Sequence, residues 1–209
     1  MGTPSRQRQT VEAVAETWER RPWPADGLLG YYVYTGHDSF TLLPHSRWVD
    51  EQADAAYVAT RRQERVDEVD TAVPGYRTAV AGPVPVLPQS RSGRPGGAGA
   101  RLHRDRGCGV RRPRPERQRA WVDAVVEALE GEPNPHPGGI CAHFHLGTDG
   151  TRVLNYAEWE SAQAHLEALA APGDGIGSGT ARWERVQTWP GLKSSTVGRY
   201  DHGLGLLPD

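Results

Sequence analysis

Residues Ser5 to Tyr57 align without a gap to Glu116 to Ala168, at a constant offset of 111 residues. Arg6 falls on Arg117, Val11 on Val122, Val14 on Val125, Pro22 and Pro24 on Pro133 and Pro135. Gly27, Gly36, Asp38, Trp48 and Gln52 fall on Gly138, Gly147, Asp149, Trp159 and Gln163. After a small insertion, Val73-Pro74-Gly75 corresponds to Trp189-Pro190-Gly191. Turn residues and tryptophans do not stay in register over fifty positions by chance. A period this long, present twice, means two copies of one small domain and not a solenoid.

Both copies carry the same order of elements. Val11, Val14, Ala15 and Trp18, like Val122, Val125, Val126 and Leu129, lie at i, i+3, i+4, i+7 and predict an amphipathic helix. A proline-rich stretch ends it at Pro22–Asp26 or Pro133–Pro137. A strand follows, Leu28–Thr35 or Gly139–Leu146, then a tight turn at Gly36-His37-Asp38 or Gly147–Gly150. Asp149-Gly150 is a hairpin signal. Second strands are expected at Ser39–Leu43 and Thr151–Tyr156, and second helices near Trp48 and Trp159. A last strand follows each Pro-Gly pair. The order α-β-β-α-β lacks only a leading strand to be the βαββαβ ferredoxin-like unit. Such a unit leaves one sheet face bare, and two copies solve that burial problem by packing bare faces together.

The expected fold class is therefore α+β: two tandem ferredoxin-like units forming an intramolecular dimeric α/β-barrel, with the first strand of each missing. Residues 5–81 form the first repeat and 116–209 the second. Between them, 82–115 are rich in Arg, Gly and Pro and show no apolar alternation. That segment reads as a basic linker. Alternatively it is a shifted reading frame: read one base later, the codons for His103–Arg111 permit Thr-Val-Thr/Ile-Val-Asp-Ala-Ala-Phe-Asp, an alternating strand.

Composition excludes several functions. Apolar residues make up 37% of the 209, enough for a core, and the net charge of −2 draws the chain neither to nucleic acid nor to an anionic membrane. The arginines from Arg91 to Arg114 lack the interleaved aromatics of a nucleic-acid surface. No apolar run reaches the length of a membrane span, and the polar N-terminus lacks the apolar region of a signal peptide. Cys108 and Cys141 have no zinc spacing and make no disulfide framework, so the expected compartment is the reducing cytoplasm. Residues Gly173 to Gly179 are glycine-rich without the Lys-Ser/Thr of a phosphate loop, and read as a mobile loop or lid.

Strand alternation separates Cys141, His143 and His145 from Ile140, Ala142 and Phe144. The second set suits the helix-covered face, and the first then lines a cavity. Two histidines at i, i+2 suggest metal ligation, but no third ligand is evident, so no metal is expected. Asn155 stands in a strand, where asparagine is disfavoured, which marks it as a site residue. Cys141 reads as a small buried hydrophobe, because no base is fixed beside it.

The stretch Thr148-Asp149-Gly150-Thr151-Arg152-Val153-Leu154-Asn155-Tyr156-Ala157-Glu158-Trp159-Glu160-Ser161-Ala162-Gln163-Ala164-His165 resembles the antibiotic-biosynthesis monooxygenases, and within them the small actinorhodin-pathway type. The resemblance implies oxidation of a phenolic polycycle to a quinone by O2, with O2 as co-substrate and no flavin, haem or metal. It implies catalytic roles for His145, Asn155 and Trp159. The family's tyrosine six residues beyond that tryptophan is His165 here, which keeps acid/base capacity but loses phenolic chemistry. A family arginine falls at Arg182 or Arg185. His143, Tyr32, Tyr34 and Arg182 are the expected substrate-binding residues. In the first copy the same columns hold Tyr34, Pro44, Trp48 and Asp54, so that copy reads as a non-catalytic partner.

The implied ligand is a small polycyclic phenol, with the repeats pairing inside one chain and room left for a homodimer. Two alternatives fit the same pattern: an aromatic polyketide cyclase using His143, His145 and His165, and a non-catalytic binding partner of polyketide machinery.

Overall fold

The computed structural model describes residues 3–39, 41–75, 100–105, 115–132, 136–147, 149–171 and 179–208. Its elements run α1 (Pro4–Glu19), β1 (Leu28–Gly36), β2 (Leu42–Trp48), α2 (Glu51–Thr60), α3 (Arg62–Ala72), β3 (Ala100–Asp105), α4 (Pro115–Glu130), β4 (Gly139–Leu146), β5 (Val153–Trp159), α5 (Ala162–Ala170), α6 (Ala181–Gln187), β6 (Thr196–Val197) and β7 (Tyr200–Leu206). They divide into two units. Unit 1 comprises Met1–Pro83 with Tyr200–Asp209, and unit 2 comprises Val84–Arg199.

In unit 1 the three strands lie in the order β2-β1-β7, all antiparallel. Helix α1 has Thr3 as its N-cap, the hydroxyl accepting from the Arg6 amide, and Pro4 in the first turn, where no backbone N–H is needed. It buries Ala13, Val14 and Trp18 against Leu28 and Val33 of β1 and Val69 of α3. The Trp18 ring stacks on Tyr31 with centroids 4.3 Å apart.

In unit 2 the four strands lie in the order β4-β5-β3-β6. This is the ferredoxin-like arrangement, with the leading strand between the third and the last. Helix α4 buries Trp121, Val122, Val125 and Ala128 against Phe144, Leu146 and Val153 of the sheet and Trp183 and Val186 of α6.

The same devices recur in the two units. Gln7 donates through Nε2 to the carbonyls of Gly36 and Thr41, at 3.0 and 2.8 Å. Gln118 donates to those of Gly147 and Arg152, at 3.2 and 2.6 Å. Each glutamine is buried and ties the first helix to the mouth of the hairpin. A Cβ on Gly27 would lie 2.6 Å from Cβ of Ala53, and one on Gly138 the same 2.6 Å from Cβ of Ala164. Glycine at both positions lets the second helix approach the chain as it enters the first strand.

Three sequence expectations are corrected. The leading strand of the second copy is not missing, since β3 forms inside the Arg/Gly/Pro-rich segment in the frame as written. It pairs antiparallel with β5 from Ala100↔Glu158 to Asp105↔Val153, and with β6 at His103 and Arg104. A strand bonded along both edges is held by its backbone, so a composition without alternation does not prevent it. The rest of 82–115 before the helix, and the proposed loop or lid from Gly173 to 178, lie outside the described residues. Trp48 and Trp159 close β2 and β5 instead of opening helices. The helices begin later because Asp50 and Ser161 are the N-caps, accepting from the amides of Ala53 and Ala164 at 2.7 and 3.0 Å. The last strand of the chain, β7, joins the sheet of unit 1, where it pairs with β1 from Tyr31↔Leu206 to Gly36↔Tyr200.

Candidate active site

Antiparallel partners share a sheet face, so register assigns each side chain of unit 2. Phe144 lies opposite Asn155, and Ala142 opposite Ala157. Phe144, Leu146 and Val153 belong to the helix-packed core, so Asn155, Ala157 and Trp159 point to the helix side. On the other face His145 lies opposite Leu154, His143 opposite Tyr156, and Cys141 opposite Glu158. The helix-facing set anticipated for Ala142 and Phe144 is therefore observed.

The sequence-predicted constellation divides across the sheet. Asn155, Trp159 and His165 fall on the helix side, with His165 supplied by α5. Trp159 and His165 are buried at 5% and 8% exposure, and their ring centroids are 5.0 Å apart. Asn155 Oδ1 is buried and makes no hydrogen bond among the described residues. A buried carbonyl oxygen left unpaired costs roughly 1–3 kcal/mol, so it is an acceptor awaiting a donor.

His145 is buried on the opposite face. His143 is there too, its ring centroid 6.1 Å from that of Tyr156. The Tyr156 hydroxyl donates to Glu158 Oε1 at 2.8 Å. Burial, reinforced by the Glu158 carboxylate, pushes the Cys141 thiol up to about 11. It is thus held as a neutral thiol, the opposite of an activated nucleophile.

Arg182 is exposed, with its guanidinium against the position of Gly131 at the end of α4. Arg185 pairs with Glu127 at 3.2 Å and lies over the Trp189 ring. Arg185 is thus engaged at the junction of α6 with α4. Tyr32 and Tyr34 belong to unit 1, on the face of β1 opposite Tyr31 and Val33, with ring centroids 6.5 Å apart.

Sequence reasoning missed His136. Its ring lies 5.9 Å from that of Trp159, the same indole that His165 adjoins. Its Nδ1 accepts from the Gly138 amide at 3.2 Å, so that nitrogen carries a lone pair. Standing in a proline-rich helix terminator, it offered no periodicity to mark it. No group of three or more His, Cys, Asp or Glu with metal-binding proximity occurs among the described residues.

In unit 1 the corresponding columns are differently filled. Pro44, opposite Val33, stands where Asn155 stands. Trp48 donates from its indole to Ser46 Oγ at 2.9 Å, and its ring is 5.2 Å from Tyr57. Burial raises the Asp54 carboxyl above its ordinary range.

Residues 109–173 match the antibiotic biosynthesis monooxygenase family. Over 57 residues the chain is 42% identical to tetracenomycin-F1 monooxygenase of Streptomyces glaucescens, a stretch covering 27% of this chain and 50% of that protein. The chain thus spans about half the length of this curated monooxygenase relative. The crystal structure of an anthrone oxidase-like protein superimposes with a TM-score of 0.68 at 17% identity, covering 98% of this chain and 88% of that one. A structure described as a monooxygenase from Lactobacillus acidophilus gives 0.55 at 10% identity, over 98% and 90%. These two establish a shared fold. The family match ends at residue 173 and contains Asn155, Trp159 and His165 together.

Proposed function

We propose that the chain is a cofactor-independent monooxygenase that oxidises a phenolic aromatic polyketide intermediate to a quinone, with O2 as co-substrate. The observation that carries this reading is the unpaired Asn155 Oδ1, buried on the same sheet side as the Trp159–His165 ring pair, inside the stretch matching the monooxygenase family.

The chemistry follows from these groups. An electron-rich hydroxyarene, once deprotonated, passes an electron to O2, and recombination places a peroxide on the ring carbon. Loss of water then leaves the carbonyl, so one oxygen atom enters the product and the other leaves as water. Asn155 Oδ1 accepts from a substrate hydroxyl and orients it. The Trp159 ring packs on the polycycle and excludes water. His165 takes the phenolic proton and returns one to the departing hydroxide.

His143 and His145, on the other sheet face, are not part of this set. Unit 1, with Pro44 in place of the asparagine, serves as the non-catalytic copy. Pairing of the two repeats into one α/β-barrel, and any homodimer, belong to the same proposal, and small-angle scattering on the purified chain tests them. The reading also assigns the protein to the cytoplasm.

The decisive test is oxygen uptake by purified protein with an anthrone, in the presence of a metal chelator. Uptake that yields the quinone, and that is lost in Asn155→Ala and Trp159→Ala protein, is expected. A folded sample that leaves the anthrone unoxidised, but closes a ring in an uncyclised polyketide-chain substrate without consuming O2, overturns the oxygenase in favour of a cyclase. Binding without turnover points to a partner protein.

A further inference from the structure

The two repeats enter their first strands through the same backbone turn. The Leu28 amide donates to the Ala25 carbonyl at 3.1 Å, and the Gly139 amide to the His136 carbonyl at 3.1 Å. The Gly27 carbonyl accepts from the Val49 amide, and the Gly138 carbonyl from the Glu160 amide, both at 2.9 Å. Ala25 and His136 occupy the same column of the repeat, 111 residues apart. The turn therefore forms without an imidazole, and the His136 ring is an addition to it.

That ring is tied down. Its Nδ1 accepts from the Gly138 amide at 3.2 Å, and its centroid is 5.9 Å from that of Trp159. In unit 1 the equivalent indole, Trp48, is fixed by donating to Ser46 Oγ at 2.9 Å. The Ser46 column in unit 2 holds Ala157, which has no hydroxyl. The second indole has imidazoles beside it instead: His136 where unit 1 has Ala25, and His165 where it has Asp54. The tie to Gly138 exists only while Nδ1 keeps its lone pair, since a protonated imidazole donates from both nitrogens and accepts at neither. Histidine changes charge between about pH 5 and 8. Among the described residues, the titratable groups around this turn are His165 of α5, on the same indole, and Glu160, whose amide holds Gly138. Glu132, before the turn, accepts from the Trp183 indole at 2.9 Å.

We propose that His136 is a pH-sensitive positioning residue for Trp159. Neutral, it is tied to the Gly138 amide with its ring against the indole. Protonated, it is released, and the indole loses a neighbour. His136 acts on the reaction through Trp159, so its kinetic effect rests on the oxygenase reading, whereas the tie does not.

The test pairs NMR with kinetics on the intact chain. In 15N-labelled wild-type protein, the Gly138 amide and Trp159 indole signals are expected to move together between about pH 8 and 5. Trp159 is assigned by loss of its signal in Trp159→Phe protein. The joint movement should persist in His165→Gln protein and vanish in His136→Ala protein, which should fold because Ala25 serves the same turn. Signals that stay still, that move equally in His136→Ala, or that stop moving in His165→Gln overturn the proposal. In oxygen uptake with an anthrone, His136→Ala is expected to raise KM severalfold at about pH 8, and this disadvantage to the wild type should disappear at about pH 5. A ratio that does not change with pH makes His136 merely structural and overturns the proposal. If no oxygen is consumed, the oxygenase reading fails and the NMR titration decides this inference alone.

Discussion

Asn155 burdens the fold that holds it. Its Oδ1 is buried without a partner, an arrangement worth roughly 1–3 kcal/mol against the folded state. Asn155→Ala should therefore leave the urea midpoint unchanged or higher, unlike an ordinary buried truncation, while oxygen uptake falls by roughly a hundredfold, the scale on which one positioned polar group acts. A lowered midpoint with intact uptake would make it a structural residue. Cys141 invites a second test. Burial and the Glu158 carboxylate disfavour the thiolate and push the thiol up to about 11. In Cys108→Ser protein, the alkylation rate with iodoacetamide should still be climbing at pH 10. A plateau by pH 9 contradicts that environment. Asn155 stood out in the sequence as a candidate because asparagine is out of place in a strand. His136 was not, because a histidine among prolines carries no pattern.

Each second helix depends on a missing side chain. A methyl on Gly138 would meet Cβ of Ala164 at 2.6 Å, closer than two carbons tolerate. Gly138→Ala should cost about 1–3 kcal/mol in denaturant unfolding, the usual penalty for overpacking. Ala164→Gly in the same chain should restore part of the loss, and the absence of any rescue would place the strain elsewhere. At the other end of the unit, Gln118 closes the hairpin with two bonds from one amide. Gln118→Ala should leave the Gly147 and Arg152 carbonyls with only their backbone donors, the Gly150 and Gly147 amides, and lower stability by about 0.5–1.5 kcal/mol. Faster hydrogen exchange should then follow at the Gly147 amide, which donates to the Arg152 carbonyl across the turn. Helix periodicity and the positions of both turns could be read from sequence, since they rest on local spacing. Helix starts could not, because the caps Asp50 and Ser161 lie past tryptophans that belong to strands.

At the scale of the molecule, the end of the chain completes its beginning. Residues Tyr200–Asp209 belong to unit 1, where β7 covers one edge of β1. A chain ending at Arg199 should lose exchange protection along β1, especially from Tyr31 to Gly36, while the β4–β5 pairing of unit 2 stays protected. Equal loss in both units would show that β7 stabilises the chain as a whole. No helix among the described residues is long and apolar enough to cross a membrane.

The sequence by itself determined the helix faces and the hairpin turns, because each is written in spacing within a few residues. It also placed Ala142 and Phe144 on the helix side, since alternation is a local property of a strand. Only the tertiary structure decided that His145 and Asn155 face opposite ways. That depends on cross-strand register, which no single strand specifies. It alone decided that β3 forms in an arginine-rich segment and that β7 returns to β1. Strand pairing is made by backbone groups distant in sequence, and those groups are the same at every residue but proline.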